Sequence, residues 1–275
     1  LNSNIPGEGN ALIIQNYISE RASDINLNDN LLIVAPPNSG KTTFFMNCDD
    51  IVLLTPTSIL RDDIHSSNPD SYKITAGKDV PIGLLRYIGN YDAIYKLGKQ
   101  HSLSRYTLVI DEAHELFLSA HPEFRHDVIR KITDRFCLFK NVILLTGTPL
   151  PFQVPGISIR QVTFKKENPS QPTLKIIQTG SPLSSLIDDI LQTNGKQIVY
   201  INDKQQIAKV EEHLLKQDPT RNIIVFTSET RDDKAQQEFL QNNTLLENTV
   251  VIGTRMILEG ISFLDNDIAA LRFYQ

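Results

Sequence analysis

Long apolar runs, paired cysteines and an excess of basic residues are all missing from this 275-residue chain. No apolar run approaches twenty residues, which excludes a membrane-spanning helix. The two cysteines, Cys48 and Cys137, are too few for a disulfide framework, and neither has a metal-type partner at short spacing. Both are therefore expected to be small buried hydrophobes in a reducing, cytoplasmic compartment. A formal net charge of −5 excludes a globally basic nucleic-acid coat, while leaving room for a local groove that binds phosphates. The opening "LNSNIPGEGN" lacks the charged-then-apolar pattern of a secretory signal, and Leu1 in place of Met points to a trimmed chain.

What is present is a series of short aliphatic runs separated by segments with helical spacing. "NLLIVAP", "IVLLTP", "YTLVIDE" and "NVILLTGTP" are nearly continuous rather than alternating, as strands covered on both faces of a parallel sheet require. The class is α/β. Across 151–172 the pattern breaks: Pro151, Pro155, Pro169 and Pro172 disfavour a helix and mark a connector. A second series follows, with "TLKIIQ", "KQIVYIN", "RNIIVFT", "NTVVIGT" and "IAALRFY" as strands. Ser181-Pro182 reads as an N-cap with proline at the first helical position, and Ile207, Val210 and Leu214 fall on one helix face. The expected division is 1–150, a connector, then 173–275, two versions of one α/β plan.

"VAPPNSGKTTFF" places a glycine-bearing loop after a strand and Lys-Thr at the start of a helix. In that arrangement backbone N–H groups surround phosphate oxygens. Pro37, Asn38, Ser39, Gly40, Lys41, Thr42 and Thr43 are the candidate nucleotide-binding residues. Gly40 allows close approach of the backbone, Lys41 reaches the β- and γ-phosphates, and Thr42 offers a hydroxyl to Mg²⁺. Ala35 stands where the general pattern has its first glycine. A phosphate cradle also needs a carboxylate at the end of a neighbouring strand to hold Mg²⁺ and a second to orient or deprotonate water. Asp111 and Glu112 directly follow Leu108–Ile110 and fit both roles; the competing reading makes them the N-terminal cap of the next helix.

In this order "APPNSGKT", "LLTPTS", "DEAH", "LTGTP" and "VIGTRMILEGISF" resemble motifs I, Ia, II, III and V of the superfamily 2 helicases and translocases, with a DEAH-type motif II. The likeness covers nearly the whole chain. It implies two RecA-like domains with parallel sheets flanked by helices, ATP and Mg²⁺ bound between them, and a nucleic-acid strand crossing both. By that resemblance Lys41, Asp111, Glu112 and His114 are catalytic, and Thr42 and Asp111 hold Mg²⁺. Thr146 and Thr148 couple the nucleotide to the strand-binding face, and Thr55, Pro56, Thr57 and Thr254 contact nucleic-acid backbone, DNA favoured over RNA. Hydroxyls and amides at strand ends suit such sequence-independent contacts. The competing reading makes Thr55-Pro56 a strand terminator and Thr254 a β-former.

Motif V reads Gly260-Ile261-Ser262-Phe263 where many members have Gly-Ile-Asp, a form closer to herpesvirus-type origin-binding helicases, with Gly260 kept as a close-approach position beside the nucleotide. No motif VI follows "RFYQ". Its finger arginines contribute on the order of a thousandfold or more to phosphoryl transfer, so the expectation is a segment of a longer protein that binds ATP and hydrolyses it poorly alone. Three functions fit in principle: a helicase or translocase core; an ATP-dependent clamp or remodelling subunit that relies on a protein partner or accessory domain; and a P-loop kinase, which has no need of the second α/β series.

Overall fold

Residues along each central strand of the first half alternate between two separate cores, which is why those runs are apolar at every position. Leu32, Val34, Val52, Leu54, Leu108, Ile110, Val142 and Leu144 point into one core. Leu31, Ile33, Ile51, Leu53, Val109, Ile143 and Leu145 point into the other. The computed structural model describes residues 11–98, 101–118, 126–148, 156–168, 176–227, 229–230, 233–254, 257, 263 and 267–274. Its chain divides into two compact units, Leu1–Gln171 and Pro172–Gln275.

The first unit runs β1 (Leu12–Ile14), β2 (Leu31–Val34), α1 (Lys41–Met46), β3 (Ile51–Thr55), α2 (Ser58–Ser67), β4 (Tyr72–Lys73) and β5 (Arg86–Asn90). It continues through β6 (Thr107–Ile110), α3 (Ala113–Leu118), α4 (His126–Thr133), β7 (Asn141–Thr146) and β8 (Arg160–Lys166). The strands form one sheet in the order β1-β8-β2-β7-β6-β3-β5-β4, and every pairing is parallel. Parallel pairing brings the carboxyl ends of all the strands to one edge, where open α/β sheets bind ligands.

The second unit comprises α5 (Pro182–Gln192), β9 (Lys196–Ile201), α6 (Lys204–Gln217), β10 (Asn222–Phe226), α7 (Lys234–Asn242), β11 (Thr249–Gly253) and β12 (Ile268–Tyr274). Its sheet is also parallel, in the order β10-β11-β9-β12. Ile207, Val210 and Leu214 of α6 are buried with Ile187 and Ile190 of α5 against Val199, Ile201, Val250 and Ile252. Phe239 of α7 packs on the opposite face with Ile198, Phe226 and Val251. Among the described residues no helix is long and apolar enough to cross a membrane.

Three expectations are corrected. The supposed connector contains β8, which pairs with β2 at Leu31↔Arg160 and with β1 at Leu12↔Phe164. The four prolines flank residues 156–168 rather than interrupt them, so nothing in that stretch blocks a strand. Of the strand expected at "TLKIIQ", Ile176 to Gln178 are described and lie outside any strand, with Ile176 78% exposed. Ser181 is the N-cap of α5 and Pro182 opens the helix, as expected, although the Ser181 side chain makes no capping hydrogen bond. Neither cysteine is fully buried: Cys48 is half-buried against the core that holds Phe45 and Met46, and Cys137 is exposed.

Gly253, at the end of β11, has no room for a side chain. A Cβ there would sit 2.7 Å from Ile257 Cγ2 and 2.8 Å from the Phe226 carbonyl oxygen. Because the second obstacle is backbone, relief requires parting β10 from β11. Gly253→Ala is expected to destabilise the second unit by about 1–3 kcal/mol, read as a lower urea midpoint with an unchanged slope.

Candidate functional site

Chain leaving β2 cannot enter α1 directly, since two residues of the intervening loop take left-handed backbone angles: Asn38 at φ 53° and Gly40 at φ 70°. Asparagine and glycine are the residues that tolerate this region best. The loop is tied down on two sides. Ala35 N donates to Thr146 O at 3.0 Å, and Ile18 N donates to Ser39 O at 2.9 Å. A Cβ on Gly40 would lie 3.2 Å from Cδ1 of Tyr17, whose ring is 55% exposed and covers this turn. Glu20 fixes Tyr17 by accepting the backbone N–H groups of Gln15, Asn16 and Tyr17 at 2.7–2.9 Å.

Lys41 is 7% exposed and its Nζ donates to the carbonyls of Ala35 at 2.9 Å and Pro36 at 3.0 Å. Burial pulls its pKa down, opposed by the nearby charges of Glu112 and Asp111. Thr42 Oγ1 donates to Asp111 Oδ2 at 2.7 Å, joining the loop after β2 to the turn after β6. Asp111 is 3% exposed; burial pushes its pKa up, while the Thr42 hydroxyl, Lys41 and the Glu112 amide oppose the shift. Glu112 is pushed up to about 7, first by burial and then by the Asp111 charge. Its backbone is left-handed at φ 47°, an uncommon conformation for a residue with a side chain, and its N–H donates to Asp111 Oδ1 at 3.0 Å.

His114, on the first turn of α3, joins this turn to the end of β7. Its Nδ1 lies 3.2 Å from Glu112 Oε2 and 3.1 Å from Thr146 Oγ1, and its Nε2 lies 3.4 Å from Glu115 Oε1. The fully buried Thr146 hydroxyl donates to Thr148 O at 3.1 Å and accepts Thr148 N–H at 3.0 Å. Lys41, Thr42, Asp111, Glu112, His114, Thr146 and Thr148 thus belong to one connected cluster at the carboxyl edge of the first sheet. Pro37 and Thr43 are exposed beside it.

Thr55 is fully buried, and its hydroxyl donates to Thr57 O at 3.1 Å, so that side chain closes the turn after β3 from within. Thr57 caps α2 by accepting Leu60 N–H at 3.3 Å, and Pro56 beside it is half-buried. In the second unit Thr254 is half-buried just past β11, with its N–H donating to Phe226 O at 3.1 Å. Gly260 lies outside the described residues.

The sequence reading missed two tyrosines at this edge. Tyr17 precedes the first long strand and belongs to no motif. Tyr91 follows β5 directly, and position alone was a usable signal, because the other residues of the cluster also lie at or beyond the carboxyl end of a strand.

The cluster suits a triphosphate with magnesium. Ser39 Oγ is buried in the loop without a hydrogen-bond partner among the described residues, and Thr42 with Asp111 supplies the hard oxygen donors that Mg²⁺ prefers.

No family model and no curated protein matches this sequence. Solved structures do. A Dbp5 variant from S. cerevisiae, bound to Gle1 and IP6, is 13% identical with a TM-score of 0.57, covering 95% of this chain and 82% of that one. The E. coli DEAH/RHA helicase HrpB is 14% identical with a TM-score of 0.60, covering 90% of this chain and 35% of its own. A second HrpB structure, described as a DExH-box NTPase, gives 14% and 0.57. The chain therefore spans about a third of HrpB. At these identities the likeness establishes the fold, a RecA-like α/β architecture of the kind found in helicase structures.

Proposed function

We propose that this chain is the ATP-driven core of a superfamily 2 helicase or translocase acting on nucleic acid. The observation that carries this reading is the 2.7 Å link from Thr42 to Asp111, with Glu112 and Lys41 beside it, because it unites a phosphate loop with a paired carboxylate turn. The fold shared with Dbp5 and HrpB supports it.

In this reading Thr42 and Asp111 hold Mg²⁺, and loop backbone from Asn38 to Gly40 with the Lys41 ammonium receives the β- and γ-phosphates. Magnesium supplies a Lewis acid that offsets charge on the transferring phosphoryl group. Glu112, raised to about 7, accepts the proton of the attacking water near neutral pH, where a base of that strength works best. His114 orients that carboxylate and, through the Thr146 hydroxyl, links it to the chain after β7. Pro56, Thr57 and Thr254, at strand ends of the two units, are assigned to nucleic-acid backbone, single-stranded DNA being the first polynucleotide to test.

ATP hydrolysis by the full-length protein, with single-stranded DNA, single-stranded RNA, duplex or nothing added, tests the proposal. At least one polynucleotide is expected to raise the rate by about tenfold or more. Hydrolysis indifferent to every polynucleotide rules out the motor reading.

A further inference from the structure

We propose that Tyr91 is a positioning residue for Glu112, holding through its phenol the turn that aims the carboxylate. The inference rests on the reading of Glu112 as the group that orients and deprotonates water. Tyr91 opens the 3-10 helix Tyr91–Lys96 immediately after β5 and is 8% exposed. Its Oη is 2.6 Å from the Asp111 carbonyl oxygen and 3.1 Å from that of Glu112. A phenol has one proton to donate, so the two carbonyls share it, the nearer receiving most of it.

Two successive carbonyls can converge on one donor only if the peptide between them is turned from the strand direction, and Glu112 is turned in that way, at φ 47°. That conformation is seldom adopted by residues with a Cβ and persists where surrounding groups over-determine it. Asp111 is also tied from afar, its N–H donating to the Leu54 carbonyl at 2.9 Å and its carboxylate accepting the Thr42 hydroxyl. The backbone of Glu112 is otherwise held locally: its N–H donates to Asp111 Oδ1 at 3.0 Å, and its carbonyl accepts Glu115 N–H at 2.8 Å. Tyr91 adds a long-range hydrogen bond to the Glu112 carbonyl, reaching it from the end of β5 across 21 residues of sequence. Its ring packs in the core with Val52, Leu54 and Ile110, a role phenylalanine could fill, so the hydroxyl is what the turn uses.

Tyr91→Phe, compared with wild type, Glu112→Gln and the double variant in the full-length protein, tests this. Removing the hydroxyl is expected to lower kcat by about tenfold with KM for ATP within about twofold, since a small misplacement of a reacting group slows chemistry without weakening binding. Amide hydrogen exchange at 112–115 is expected to speed up while the central strands stay protected. In the Glu112→Gln background the further change Tyr91→Phe is expected to leave the residual rate unaltered, because Tyr91 acts through the side chain already removed. Unchanged kcat in Tyr91→Phe, faster exchange without a kinetic effect, a multiplicative loss in the double variant, or a Tyr91→Phe protein that fails to fold would each overturn the proposal. Full hydrolysis by Glu112→Gln would instead overturn the reading of Glu112 on which it rests.

Discussion

Lys41→Ala is expected to reduce ATP hydrolysis by at least about a hundredfold, because a preorganised donor aimed at developing phosphoryl charge is worth that much in a site shielded from water. The same substitution is not expected to unfold the protein. Lys41 is buried with its ammonium held by the Ala35 and Pro36 carbonyls, and burial already lowers its pKa, so the charged form is the one the fold tolerates least. The sign of the linkage follows: a lysine with a depressed folded pKa binds fewer protons in the native state than unfolded, so stability rises as pH climbs through the folded pKa toward the unfolded value. Lys41→Met, which keeps the aliphatic volume, should remove that alkaline gain and leave the thermal midpoint at neutral pH equal or higher. A collapse of hydrolysis with an intact or raised midpoint separates lost chemistry from lost structure. Undiminished hydrolysis in Lys41→Ala would show that phosphate is held elsewhere.

Glu112→Gln carries the second large effect. A positioned general base contributes about 10²–10⁴-fold, and the amide can neither accept the proton nor repel Asp111. Since the carboxyl is raised to about 7, the wild-type rate should climb with pH up to neutrality and level off above it, falling about tenfold per unit on the acid side. The stability consequence has the opposite sense. A carboxyl with a raised folded pKa binds more protons in the native state, so its ionisation lowers stability as pH rises from the ordinary carboxylate range through about 7. Glu112→Gln is expected to erase both the acid limb of the rate profile and that decline in stability. Persistence of the acid limb in the glutamine variant would assign the base to another group.

The strands and the gathering of residues at their ends were legible from the sequence for the same reason. Burial on both faces forces continuous aliphatic runs such as Leu31–Val34 and Asn141–Thr146, and parallel pairing then collects whatever follows them at one edge. Lys41, Thr42, Asp111 and Glu112 all follow such runs. β8 was not legible, because its sequence, Arg160 to Lys166, alternates exposed and buried positions near the sheet margin and is bracketed by prolines. The left-handed turn at Glu112 was hidden as well. Nothing in an acidic pair announces positive φ, and Tyr91, which hydrogen-bonds the Asp111 and Glu112 carbonyls, comes within reach of them only once β5 and β6 both flank β3. Thr55 shows the converse limit: its residue type fits a backbone contact, yet tertiary packing turns the hydroxyl inward.

The late arrival of β8 governs how the first unit can be made. Arg160 aligns with Leu31 and Phe164 with Leu12, so the nascent polypeptide must emerge well past residue 150 before β1 gains its neighbour and β2 its second one. Until then the ribosome-bound intermediate offers β2 as a bare, fully apolar margin, the kind of surface that recruits chaperones or stray strands. A recombinant boundary cut at 150 would freeze the molecule at that sticky stage, whereas one placed beyond Lys166 lets the sheet finish itself.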